Sequence, residues 1–169
     1  GITGVFGESG SGKTSLLRCI AGLEGDSAGN VHRRRIAYVH QEPQLFAHLS
    51  VRGNIEYGKR RNPDAGADVD AIAVQFEVEH LLERPVRDLS GGEAQRVSIA
   101  RALCQGPRLI LMDEPLSALD ERRRNDVLPW LDRLHAESSV PIVYVSHNID
   151  EICRLSDHLL ILDSGRIVA

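Results

Sequence analysis

ITGVFGESGSGKTSLL, Ile2 to Leu17, decides the architecture. Ile2 to Phe6 reads as a short apolar strand. Gly7 to Thr14 then fits G-x-x-x-x-G-K-[ST] in full, and Leu16, Leu17, Ile20 and Leu23 follow on a helix. A strand before and a helix after are the context in which this motif cradles phosphate. The glycines let the chain curl until several N–H groups face one anion, and the helix dipole adds positive potential there. The candidate phosphate-binding residues are Gly7, Glu8, Ser9, Gly10, Ser11, Gly12, Lys13 and Thr14. Lys13 can reach β- and γ-phosphates, and the Thr14 hydroxyl can ligate Mg²⁺.

The rest of the chain extends the same pattern. Arg35 to Val39 (RIAYV), Leu109 to Met112 and Val140 to Ser146 read as strands, the latter two as strands covered on both faces. Helices are expected from Gly91 to about Gln105, from Glu121 to Glu137 and near Ile149 to Leu155. LLILDSGRIVA places an Asp-Ser-Gly turn between two apolar runs and reads as a hairpin. Strands alternating with helices imply an α/β fold with a mainly parallel sheet flanked by helices. Glu24 to Asn30 is loop-like. Glu42 to Asp88 departs from the alternation. Short helical pieces dominate it, including DVDAIAVQFEVEHLL, with a turn signal at Asn62-Pro63-Asp64. It reads as a helical subdomain, residues 42–88, inserted into a core of 1–41 and 89–169.

Polar residues gather where strands end. LILMDEP ends a buried strand on Asp113 and Glu114. Beside a phosphate loop, Asp113 suits the Mg²⁺ shell and Glu114 suits a general base that polarises water. Adjacent strand residues point to opposite sides, so the two carboxylates serve different tasks. Ser146-His147 ends the next strand, and ligands of open α/β sheets bind at such carboxyl ends. His147 can hydrogen-bond a γ-phosphate or an attacking water. Gln41 follows RIAYV in a similar place, and its amide can bind Mg²⁺ or water. A second anion-suited helix start lies at LSGGEAQR, Leu89 to Arg96.

Composition narrows the class. The chain has 169 residues, 42% apolar and 26% charged, enough for one cored domain. A net charge of -4 gives no general pull toward nucleic acid or anionic membrane. The basic runs His32–Arg35, Lys59–Arg61 and Arg122–Arg124 read as solvated faces. Cys19, Cys104 and Cys153 form no CxxC pair, which argues against zinc or a disulfide framework and fits a reducing cytosol. No apolar run approaches the roughly 18 residues of a membrane span, and no signal peptide is evident. The start without Met and the abrupt end suggest a fragment.

Taken in order, these motifs resemble the ATP-binding cassette (ABC) ATPases. GESGSGKT resembles the Walker A motif, Gln41 the Q-loop, LSGGEAQR the family signature, LILMDE the Walker B motif with its catalytic glutamate, Ser117–Asp120 (SALD) the D-loop, and His147 the switch histidine. The resemblance implies a P-loop core that binds ATP and Mg²⁺ and hydrolyses ATP, with Glu114, His147 and Gln41 catalytic and Thr14, Gln41 and Asp113 near the metal. It implies a second cassette as partner in a homodimer. Ser90, Gly91, Gly92 and Glu93 of one chain would cap the ATP held by the other. QEPQLFAHLSVRGNIEYG, Gln41 to Gly58, and LPWLDRLH, Leu128 to His135, are similar to the ATP-binding subunits of bacterial molybdate importers. That implies integral membrane permease subunits, a substrate-binding protein met only indirectly, and a peripheral place on the cytoplasmic face of the inner membrane. Leu45, Phe46, Leu49 and Val51 would meet a short permease helix or pack their own subdomain.

The family pattern also has antiparallel strands before Gly1, with an aromatic residue that stacks on adenine, and these are missing from this chain. By the same analogy a stretch of about fifteen to twenty residues is absent between Gly29 and Asn30, which shortens the distance from Lys13 to Gln41. The resemblance also implies a C-terminal regulatory domain of the kind molybdate and sugar importers often add, which is not among the 169 residues of this chain. Two other readings stand beside the importer: a soluble ABC ATPase of DNA repair or translation, and a degenerate cassette that binds ATP without turnover. A different importer substrate is a further alternative.

Overall fold

The computed structural model describes residues 1–24, 35–62, 68–137 and 139–169, without the side chains of Arg61 and Glu137. The loop expected at Glu24–Asn30 beyond Glu24, the Pro63-Asp64 part of the expected turn, and the Gly29–Asn30 junction lie outside the described residues. Six strands form one sheet: β1 (Ile2–Phe6), β2 (Ile36–Val39), β3 (Leu109–Asp113), β4 (Ile142–Ser146), β5 (His158–Asp163) and β6 (Arg166–Ile167). Their order is β2-β3-β4-β1-β5-β6. All neighbours run parallel except the β5–β6 hairpin, turned by Ser164 and Gly165 at φ 48° and 77°.

The apolar strand runs bury both faces. On β3, Ile110 and Met112 enter the larger core while Leu111 points the other way to meet Val5, Leu17 and Val145. Helix α1 (Lys13–Ile20) covers the second face through Leu17. The first face takes α4 (Gly91–Cys104), α5 (Glu121–Glu137) and α6 (Ile149–Leu155). Val97, Ala100 and Cys104 of α4 are fully buried, as expected of one helix face. Burial raises the Cys104 thiol pKa to about 11, and the three cysteines are free thiols.

Helices α2 (Val51–Arg61) and α3 (Val69–Gln75) fill the region between β2 and α4. Ser50 caps α2 by accepting the Gly53 N–H at 3.2 Å. Helix α2 lies so close on α4 that a Cβ on Gly58 would run into the Arg101 carbonyl oxygen. The stretch DVDAIAVQFEVEHLL is not one helix. Helix α3 stops at Gln75, Glu77 turns the chain at φ 47°, and a 3₁₀ turn covers Glu79–Leu81. At roughly 100° per residue, Val78 would lie opposite Val69 on an unbroken helix. The break instead buries Val69, Ala73, Phe76, Val78 and Leu81 in one core.

The register brings the functional strand ends together. Phe6 pairs with Ser146 and Asp113 with Val145. The next residues, Gly7, His147 and Glu114, therefore emerge from one sheet edge.

Candidate functional site

The Gly7–Thr14 loop curls from β1 into α1. Gly10 and Gly12 stand at φ 82° and 100°, a region costly for any residue with a Cβ, and Ser11 N–H closes the turn on the Glu8 carbonyl at 3.1 Å. Helix α1 begins at Lys13, whose side chain is only 5% exposed. It donates to the carbonyls of Gly7 (2.8 Å) and Glu8 (2.9 Å) and lies 3.5 Å from Glu114 Oε1. The loop curls around its own cation, whose charge is met by two carbonyls and one carboxylate. Ser11 Oγ is buried without a hydrogen-bond partner.

The two carboxylates at the end of β3 take different partners, because the backbone turns between them. Asp113 Oδ1 accepts the Thr14 hydroxyl at 3.0 Å, and Oδ2 accepts the Tyr38 hydroxyl at 2.8 Å. Burial, and then Asp113 itself, push the Tyr38 phenol well above its usual pKa, so it stays a donor. Glu114 turns away at φ 46°. Its N–H donates to Val145 O at 3.0 Å, and its carbonyl accepts the Ser117 hydroxyl at 2.7 Å. With the backbone tied at both ends, the carboxylate spans Lys13 and His147, the latter with Nδ1 at 2.8 Å from Oε2. Gln41 is exposed and lines the same cleft as Ser9, Gly10, Lys13, Thr14 and Glu114, an open space of about 410 Å³. A second opening, which Glu114 also lines, is formed by Gly7, Glu8, Ser9 and His147.

Thus Lys13, Thr14, Gln41, Asp113, Glu114 and His147 meet at one place. Ser90, Gly91, Gly92 and Glu93 line neither opening. They start α4 with a reciprocal cap: Ser90 Oγ accepts Glu93 N–H at 3.3 Å, and Glu93 Oε2 accepts Ser90 N–H at 2.7 Å. Burial opposes ionisation of Glu93, but the Ser90 hydrogen bonds and nearby Arg96 outweigh it and hold its pKa low. The cap rests on the Ser117–Asp120 turn before α5, where a Cβ on Gly91 would lie 3.2 Å from Leu119.

Tyr38 was not among the residues singled out from the sequence, although a tyrosine on an apolar strand needs a partner for its hydroxyl. Arg124 departs from the solvated face expected of its basic run: it is 25% exposed and pairs with buried Glu151. Of the four apolar residues after Gln41, Val51 is fully buried and Leu45 packs against the core. Phe46 meets Tyr57 in a tilted ring pair at 4.4 Å and lies beneath the Arg101 guanidinium at 5.4 Å, and Leu49 is half-buried.

Residues 1–117 match the profile of the family described as ABC transporter. The chain is 51% identical over 189 positions to the molybdenum import ATP-binding protein ModC 1 of Azotobacter vinelandii, covering 100% of this chain and 52% of that protein. It is likewise 51% identical to ModC of Thiobacillus denitrificans, over 98% of this chain and 51% of the relative. The chain thus spans about half the length of the curated relatives it matches. Among solved structures, cbiO1 from Clostridium perfringens, part of the ABC transporter complex cbiONQ, superposes with a TM-score of 0.84 at 25% identity, over 99% of this chain and 75% of its own. The chain belongs to the ABC transporter family and has the P-loop α/β fold of its cassettes.

Proposed function

We propose that this chain binds and hydrolyses ATP to drive an importer for molybdate or a related oxyanion. The observation that carries the catalytic part is the convergence of Lys13, Thr14, Asp113, Glu114 and His147 from three strand ends within hydrogen-bond reach. The ModC relatives are molybdenum import ATP-binding proteins, which supports the substrate class. The cassette itself does not touch the oxyanion. That task falls to integral membrane permease subunits and, indirectly, a substrate-binding protein.

The phosphates of ATP settle on the N–H groups of Gly7–Thr14, and Lys13 exchanges its internal acceptors for phosphate oxygens. Thr14 Oγ1 and Asp113 Oδ1, 3.0 Å apart, are hard oxygen donors that fit Mg²⁺, with Gln41 on the same cleft. Held by these residues, Mg²⁺ would supply charge neutralisation at the phosphate oxygens. The departure of Lys13 frees Glu114 Oε1 to take a proton from water, while His147 steadies the other oxygen or the γ-phosphate.

Ser90, Gly91, Gly92 and Glu93 stand apart from this cleft and serve the nucleotide of a second cassette in a head-to-tail homodimer. Residues 42–88 form the inserted helical subdomain, and the half-buried Phe46 and Leu49 supply its contact to a permease helix. Among the described residues no helix is long and apolar enough to cross a membrane. The cassette works as a peripheral subunit on the cytoplasmic face of the inner membrane. Replacing Glu114 with Gln keeps shape and removes the base. ATP turnover should fall by about 10²–10⁴ while ATP binding persists. Equal turnover in the variant and the parent would remove Glu114 from the role.

A further inference from the structure

The backbone on both sides of His147 is held by a buried carboxylate that the proposed mechanism does not use. Glu151 sits on α6, four residues past His147, and is 5% exposed. Its Oε2 accepts the Tyr144 hydroxyl at 2.9 Å and the Ser146 hydroxyl at 2.9 Å. Ser146 Oγ in turn accepts the Asn148 N–H at 3.0 Å. Asn148 Oδ1 accepts the Glu151 N–H at 3.3 Å and that of Asp150 at 2.9 Å. These bonds close a ring around one residue, and that residue is His147.

The imidazole itself is 55% exposed, and its described contact is the one to Glu114. Side-chain packing does not aim it. Its direction is set by the peptide between Ser146 and Asn148, which the ring of bonds fixes. Tyr144 reinforces the ring, since burial and then the Glu151 charge drive its phenol far above the usual pKa and keep it a donor.

Glu151 also reaches beyond its own loop. Arg124 Nε lies 3.2 Å from Oε1, a charge contact without the alignment of a hydrogen bond. Arg124 is in the first turn of α5, and its N–H donates to the Asp120 carbonyl at 2.9 Å. Asp120 ends the Ser117–Asp120 turn, whose Ser117 hydroxyl binds the Glu114 carbonyl at 2.7 Å. One route from Glu151 therefore reaches Glu114 through His147, and another through Arg124 and that turn. Removing a carboxylate from water is costly unless it is paired and hydrogen-bonded, so an ionised group here needs the partners it has.

We propose that Glu151 is a positioning residue: it fixes the peptide of His147 and, through Arg124, ties it to the Ser117–Asp120 turn, so displacement of that turn is felt at the His147–Glu114 pair. The proposal rests on the reading of His147 and Glu114 as reacting groups. Glu151→Gln is the discriminating change. Its amide oxygen can still accept from Tyr144 and Ser146, but a neutral N–H₂ then faces Arg124.

Steady-state ATP turnover is compared for the parent, Glu151→Gln, His147→Ala and the double variant, with melting temperatures alongside. The expected result is a fall in kcat of about 10- to 100-fold, the scale of a small misplacement of a reacting group. KM for ATP and the melting temperature stay near the parent's, and no further loss appears on the His147→Ala background. Equal losses on both backgrounds, or a loss explained by KM or by unfolding, would overturn the proposal. The imidazole ¹⁵N resonances of His147, read by NMR without nucleotide, give a test independent of turnover. They should shift in Glu151→Gln, and unchanged resonances would refute the positioning role. Should the parent itself hydrolyse no ATP, the proposed function fails, and these resonances alone decide whether Glu151 places His147.

Discussion

The phosphate-loop cleft and the Ser90 cap are both helix starts suited to an anion, yet they are built in opposite ways. At the first, side chains from α1, β2, β3 and β4 satisfy one another: Lys13 is neutralised from within, Asp113 takes two hydroxyls, and Glu114 bridges Lys13 and His147. At the second, the cap is local. Ser90 and Glu93 satisfy each other, which takes up the N–H groups of the first and fourth residues of the start. The N–H groups of Gly91 and Gly92, in the first helical turn, have no acceptor within the helix and suit an anion from outside. The difference teaches how a family can split one chemical task. On the proposed function, the site that reorganises around its own nucleotide is cross-linked to the sheet, while the one proposed to meet another chain's nucleotide needs only a rigid helix end. Burial of Val97, Ala100 and Cys104 provides that rigidity.

Breaking the first site should have the larger effect. In Lys13→Ala, Glu114 loses its cation and the phosphates lose their one buried ammonium. Turnover should fall by about 10²–10³, the scale of one lost transition-state donor, and nucleotide affinity should fall with it. Titration of a fluorescent ATP analogue together with a turnover assay would read both. Retained affinity would mean that the backbone N–H groups alone hold the nucleotide.

Removing the Ser90 hydroxyl should have a smaller effect of a different kind. Ser90→Ala loses the helix cap, worth about 1 kcal/mol, so the melting temperature should drop by a few degrees. ATP affinity of the isolated chain should be unchanged, because the cap lies outside the cleft. A fall in that affinity would place the two helix starts in one site after all.

Much of this contrast is legible in the sequence, and the limits are physical. Gly7–Thr14 announces itself because only glycines tolerate the φ of Gly10 and Gly12. Asp113, Glu114 and His147 follow from the rule that buried parallel strands deliver their next residues to one edge. Tyr38 and Glu151 are harder to see. Their importance lies in partners 75 and 5–27 residues away, and only the sheet register and the docking of α5 on α6 bring them together. The break in DVDAIAVQFEVEHLL escaped the periodicity for a similar reason. Each half suits a helix, and what ends α3 is the demand that Val78 and Leu81 share the core of Val69 and Phe76.

The central claim is that the Ser90 cap reads the nucleotide of a second chain. The most direct measurement is the mass of Glu114→Gln by light scattering, with and without Mg-ATP. The chain should be a monomer that becomes a dimer only with nucleotide, and a bulky residue at Ser90 should abolish that dimer without loss of ATP binding. A mass that stays monomeric with ATP demonstrably bound would contradict the claim.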